Sequence, residues 1–97
     1  MYQYLLSLQA QQSLIQIGQY TLENFGPQQK KRYLKMLRDR MRAAAKYPEM
    51  GRERSEIKGG YYSVQAEKHH IYYRSRDTHI EIIDVSHQSM EPKIHIG

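Results

Sequence analysis

All five histidines of this 97-residue chain fall in its last third, where they stand among arginines and tyrosines. That grouping raises the question of phosphoryl chemistry. Cleaving RNA through its 2′-hydroxyl needs a base, an acid and cations around the phosphate. Arg52, Arg54, Lys58, His69, His70, Tyr73, Arg74 and His87 are the residues that could supply those groups. Each also has an ordinary structural role open to it: charged loops are usually solvated, and tyrosines on a sheet usually pack.

Other chemistries have less to work with. Ser63, Ser75, Ser86 and Ser89 lie near histidines in sequence, but none sits in a strained elbow motif, so a nucleophilic triad is not indicated. His69 and His70 are adjacent, so on a strand they point to opposite faces and cannot chelate one ion. His79 and Glu81 share a face, but nothing specifies a third ligand, and neither a metal nor a cofactor is expected. The chain has no cysteine, which excludes disulfide scaffolds, thiolate zinc sites and cysteine nucleophiles.

These side chains must be positioned by a small fold. Leu, Ile, Val and Phe make up 19 of 97 residues, a lean core supplemented by nine Tyr and five Met. One domain spanning 1–97 is expected. A lean core also implies that a partner binding the folded form would stabilise it. No run reaches the ~20 apolar residues of a membrane span. The N-terminal stretch MYQYLLSLQAQQ lacks the basic lead of a secretory signal. The expectation is a cytoplasmic protein with no membrane partner.

Tyr2 to Leu6 reads as a short strand, and Ser7 as the N-cap of a helix. Ala10, Leu14, Ile17, Thr21 and Phe25 recur on one helical face, with Gly18 beside them where another backbone could come close. Gly26 should end this helix and Pro27 should open the next. In the second helix Tyr33, Leu34, Leu37, Met41, Ala44 and Ala45 form the apolar stripe, and Lys31, Lys35, Arg38 and Arg42 line the other side. Pro48 closes it. The period then changes to two, giving strands at 61–64, 70–74 and 80–85 joined by short connections that favour antiparallel pairing. Residues 90–97 read as a mobile tail. The expected fold is α+β, in the order β-α-α-β-β-β, with an N-terminal helical hairpin packed on an antiparallel sheet.

Charge is uneven along this plan. Residues 27–58 hold eleven Lys/Arg against four Asp/Glu, a net of +7, while the segments on either side are each at −1. That field favours a polyanionic partner such as a nucleic acid or an acidic protein tail.

Leu6-Ser7, Ile17-Gly18-Gln19-Tyr20-Thr21, Phe25-Gly26, Tyr47-Pro48, Gly51-Arg52-Glu53-Arg54, Glu56 to Tyr61, His69 to Tyr73 and Ile82 to Met90 occur in an order and spacing that span nearly the whole chain. Taken together they resemble the RelE/ParE superfamily of type II toxins, and within it the ParE branch. The resemblance implies a toxin that binds DNA gyrase without catalysis. Its partner would be a ParD-like antitoxin, typically a dimeric DNA-binding module whose disordered tail folds over the toxin, so that operator DNA is touched only through the antitoxin. RelE-like relatives instead cut mRNA in the ribosome with basic residues along the sheet. Here His70 stands where that branch has a central arginine, and no arginine follows Met90. This chain also departs from the ParE pattern at Tyr62, Glu67 and Asp84. On the resemblance, Arg52, Arg54, Lys58, Arg74, His87 and Met90 form the target-binding surface. Leu34, Leu37, Arg38 and Met41 form the antitoxin-binding one.

Overall fold

The structure, a computed structural model, describes residues 3–89. Strand β1 (Gln3–Leu6) leads into α1 (Leu8–Phe25) and α2 (Pro27–Lys46). A single 3-10 turn (Pro48–Met50) follows, and then β2 (Arg52–Glu53), β3 (Tyr61–Ala66), β4 (His69–Ser75) and β5 (His79–His87). The strands form one sheet in the order β1-β5-β4-β3-β2. The three long strands run antiparallel, as their short connections require. The sheet as a whole is mixed, because β1 joins the edge parallel to β5, with Leu6 level with Ile82. A crossover through both helices carries the chain from β1 to the far strands, which is the length of connection a parallel pair needs. The two-residue β2 on the opposite edge was not expected from periodicity.

The local signals act as their chemistry dictates. The Ser7 hydroxyl accepts the Ala10 N–H at 3.0 Å, capping α1, and donates to the Ile83 carbonyl at 2.7 Å, tying the cap to the last strand. Gly26 takes φ 89° between the helices and Pro27 opens α2. A Cβ at Gly18 would sit 3.2 Å from Lys30 Cε and 3.3 Å from Leu34 Cδ1, so the bare α-carbon lets the two helices close. Glu67, at the tight β3–β4 turn, holds a positive φ of 53°, the backbone conformation for which glycine is preferred.

Both helices lie on one face of the sheet. Leu37, Met41, Ala44, Ala45 and Ala10 pack against Ile71, Tyr73, Ile80, Ile82, Val85 and Ala66. A β-bulge at the Tyr72/Tyr73 level shifts the β4–β5 register and brings Asp84 into the interior. There its carboxylate accepts from Ser13 Oγ at 2.6 Å, Gln9 Nε2 at 2.9 Å and the Val85 N–H at 2.8 Å. The acidic residue that departs from the ParE pattern thus fastens α1 to β5. Among the described residues no buried side-chain polar atom lacks a partner.

Candidate functional site

Alternation along the strands sorts the reactive side chains onto two faces. In β4, His70, Tyr72 and Arg74 point away from the helices, while His69, Ile71 and Tyr73 point towards them. The pairing of Arg52 with Ser63, and of Ser63 with Tyr72, places Arg52 in the open-face row.

Arg54, just beyond β2, organises that open face. Its guanidinium lies 5.1 Å from the Tyr72 ring centre, donates to Ser63 Oγ at 3.1 Å and pairs with Glu56 at 2.7 Å. The bond Arg54 donates to the Glu56 carboxylate is the main reason its pKa is raised. His70 is held below its ordinary pKa, first by burial and then by the positive charges of Arg54 and Arg52. Its ring centre lies 6.2 Å from that of Tyr72. Arg74 is on the same face but half-neutralised: Glu81 accepts from its Nε at 2.6 Å, with Arg76 also at 3.7 Å. Arg52 is exposed. Lys58 belongs to the β2–β3 loop, where its carbonyl accepts the Tyr61 N–H.

The helix-side face carries a different cluster. Tyr33 and His69 meet at 2.6 Å between Oη and Nδ1, and the Lys68 N–H donates to the same tyrosine oxygen at 3.3 Å. The Tyr33 hydroxyl and His69 Nδ1 thus share one short hydrogen bond whose direction follows the histidine tautomer. His87 stands edge-on to His69 at 5.4 Å and bonds Ser89. Burial, then the nearby His87 and His70, lowers the His69 pKa from 6.5 to about 4. An unfolded chain therefore takes up this proton before the folded one does. The stability His69 contributes is complete above pH 6.5 and is lost as pH falls from 6.5 towards 4. Urea unfolding at pH 5 should give a free energy about 1 kcal/mol below that at pH 7.5 from this group, after discounting for the half-exposed ring. His69→Gln, which cannot titrate, should remove that part of the pH dependence.

The residues grouped from sequence as one surface are thus divided. Arg52, Arg54 and Arg74 come together on the open face, whereas His87 lies with His69 on the other side. Met90 falls outside the described residues. Tyr73 is buried and donates to the Pro48 carbonyl at 2.6 Å, so it is a core residue rather than an acid or base. A Cβ on Gly51 would overlap the Tyr73 hydroxyl, which explains the glycine there.

Two grooves flank α1. The smaller, about 400 Å³, runs between α1 and α2 towards the β1 edge and is lined by Tyr4, Leu6, Ile15, Lys30, Leu34, Arg38 and others, with Met41 among them. The larger, about 1110 Å³, lies between α1 and the β4–β5 end, with Ile17, Tyr20, Phe25, His69 and Asp84 in its walls. Leu37 and Met41 are 0% exposed, so they cannot present a docking face of their own. An amphipathic helix turns its apolar stripe onto its own sheet first. Of the four residues, Leu34 and Arg38 therefore stand at the groove wall, Met41 lies buried beneath it and Leu37 does not line it. The contributions of Tyr4 and Leu6 had no signal in helix periodicity, because they come from a strand.

Among the described residues no group of three or more His, Asp or Glu side chains is placed to hold a metal ion, and no helix is long and apolar enough to cross a membrane.

A family model described as "ParE toxin of type II toxin-antitoxin system, parDE" matches residues 4–92. The chain is 36% identical over 89 residues to Toxin ParE1 of Mycobacterium tuberculosis (strain CDC 1551 / Oshkosh), covering 91% of each. It is 32% identical over 94 residues to Toxin ParE1 of Caulobacter vibrioides, covering 97% of each. Among solved structures it resembles a chain of the chromosomal ParDE TA system from P. aeruginosa, with a TM-score of 0.77 at 15% identity over 90% of this chain and 96% of that one. A chain of the YoeB-YefM complex from Staphylococcus aureus gives 0.61 at 18% identity, over 90% and 97%.

Proposed function

Because the chain belongs to the ParE toxin family of type II toxin–antitoxin systems, we propose that it binds DNA gyrase through the open face of its sheet and performs no catalysis. It acts in the cytoplasm, and a ParD-like antitoxin silences it. Operator DNA is reached only through that antitoxin.

What supports binding over cleavage is the division of titratable groups between the two faces. His69, His87 and the buried Tyr73 are on the helix side, and Arg52, Arg54 and Arg74 on the open side. Of the candidate acids and bases only His70 shares a face with the arginines, so an acid–base pair around one phosphate is not assembled. What remains on the open face is cationic and aromatic, with Arg54 held over Tyr72. Tyr72 is itself buried, so what this face offers a partner is its arginines, a residue type that anchors protein interfaces. The test is a gyrase supercoiling assay with purified protein and a gyrase-resistant control. Supercoiling should fall with added toxin at micromolar concentration; unchanged supercoiling there would rule gyrase out as the target.

For the antitoxin, the α1–α2 groove offers an apolar floor with Leu34 and the cations Lys30 and Arg38. An acidic, disordered tail would be drawn by the field of residues 27–58 and would add apolar contact to a lean core. The solved neighbours from the ParDE and YoeB-YefM systems fit a partner of this kind.

One observation favours a second reading. His70 is kept neutral beside Arg52 and Arg54, an arrangement that could serve a general base in a ribosome-dependent mRNA endonuclease. Primer extension on translated mRNA separates the two, since only the nuclease gives codon-phased cuts.

A further inference from the structure

The outward side of α1 carries a stripe of exposed apolar side chains. Leu8, Ile15 and Leu22 are 76%, 68% and 40% exposed, and they recur every seven residues on one line of the helix. Gln11 and Gln19 are also exposed and flank Ile15 at equal distances. From Leu8 to Leu22 the stripe therefore reads Leu, Gln, Ile, Gln, Leu at spacings of three, four, four and three. The pattern is the same in both directions, with Ile15 at its centre.

That symmetry is what a two-fold contact between identical helices requires. When two copies of α1 pack antiparallel about an axis at Ile15, each Leu8 meets the other copy's Leu22, each Gln11 meets a Gln19, and Ile15 meets itself. The isologous rule is satisfied at every position. Within the chain the Gln11 amide donates to the Leu6 carbonyl and that of Gln19 to the Glu23 carboxylate, each at 3.2 Å, which leaves each glutamine a second N–H and its carbonyl oxygen for the other copy.

Charge selects the same occupant. The chain carries +5 overall, so two copies repel through most of their surface. Residues 1–22 contain no Asp, Glu, Lys, Arg or His, and this stripe lies wholly within them. An acidic partner would find no cation to pair with on it. The cations that share a groove with Ile15, Lys30 and Arg38, belong to α2.

We infer that α1 is a self-association surface through which the free toxin forms an antiparallel homodimer centred on Ile15. The inference is independent of the target of the open face. A single helix pair covers less than the ~1,200 Å² of standard interfaces, so the dimer is weak and forms at micromolar concentrations. Ile15 also borders the α1–α2 groove, so a segment seated there competes with the second copy.

The chain has no cysteine, which allows a clean test. Ile15→Cys, at the axis, should oxidise to a disulfide-linked dimer in the purified full chain, whereas Gln16→Cys, turned towards the other groove, should not. Sedimentation equilibrium of the parent should show twice the 11.6 kDa chain mass at micromolar concentration. Ile15→Glu should weaken that dimer at least ~10-fold with its helical circular dichroism unchanged. Should that variant fail to fold, the Leu8→Gln/Leu22→Gln pair tests the same contact. A parent that stays monomeric to several hundred micromolar overturns the inference. So does a dimer indifferent to these substitutions, or equal cross-linking from both cysteine variants.

Discussion

Leu37→Ala is expected to lower the free energy of unfolding by about 3–5 kcal/mol and the melting midpoint by roughly 15 °C or more. Leu37 is 0% exposed in the cluster where α2 meets Ile71, Tyr73, Ile80 and Ile82. Removing its branched end leaves a cavity that two helices and a sheet, already tied by Ser7 and Asp84, have little freedom to fill. The loss would consume a large part of the 5–15 kcal/mol that holds a domain of this kind together. Thermal denaturation of parent and variant checks it. The same measurement settles which of the residues grouped as an antitoxin surface act from inside. Leu34→Ala, on the groove wall, should weaken antitoxin binding more than it weakens the fold. A Leu37→Ala protein that melts like the parent would place Leu37 at the surface after all.

The second large effect separates two arginines that sequence treats as a pair. Arg52→Ala should leave the melting midpoint within a degree or two, because its side chain is exposed and makes no hydrogen bond or ion pair with the described residues. Its toxicity should nevertheless fall, with target affinity reduced ~10-fold or more if the open face is the contact surface. Arg54→Ala should reduce toxicity and also cost about 1.5–3 kcal/mol of stability. It takes away the bond to Ser63, which is nearly buried, the pairing with Glu56 and the cover over Tyr72. Growth assays beside melting curves of both single variants read the difference. An Arg52→Ala toxin that arrests growth as well as the parent would remove that residue from the contact surface.

Much of the fold was legible from the residues because its signals are local. Ser7 as a cap, Gly26 and Pro27 as the break between helices, and the switch to a period of two after Pro48 each act within a few residues. The opposite orientation of His69 and His70 follows from strand geometry alone. What periodicity could not supply was partnership. Nothing in Tyr4 or Leu6 says that their strand pairs with β5 and does so in parallel, since an apolar strand fits any edge. Nothing in the stripe of α2 says how much of it the sheet covers, so Leu37 and Met41 read equally well as core or as docking surface. Asp84 looked anomalous in an apolar strand because Ser13 and Gln9, its partners, are some seventy residues away along the chain. Arg54 looked like one more loop cation because its contacts are to a tyrosine and a serine on two different strands.

The parallel seating of β1 beside β5 sets a condition on biosynthesis. Among the described residues β1 has its one sheet neighbour in β5, which is made much later, and the Ser7 hydroxyl waits 76 positions for the carbonyl of Ile83. Closing so long a loop comes late and at an entropic cost. A nascent chain can build its helical hairpin early, but the edge of its sheet stays open until β5 has been made. Anything that needs the finished sheet therefore waits until β5 has been made, long after the helical hairpin can form.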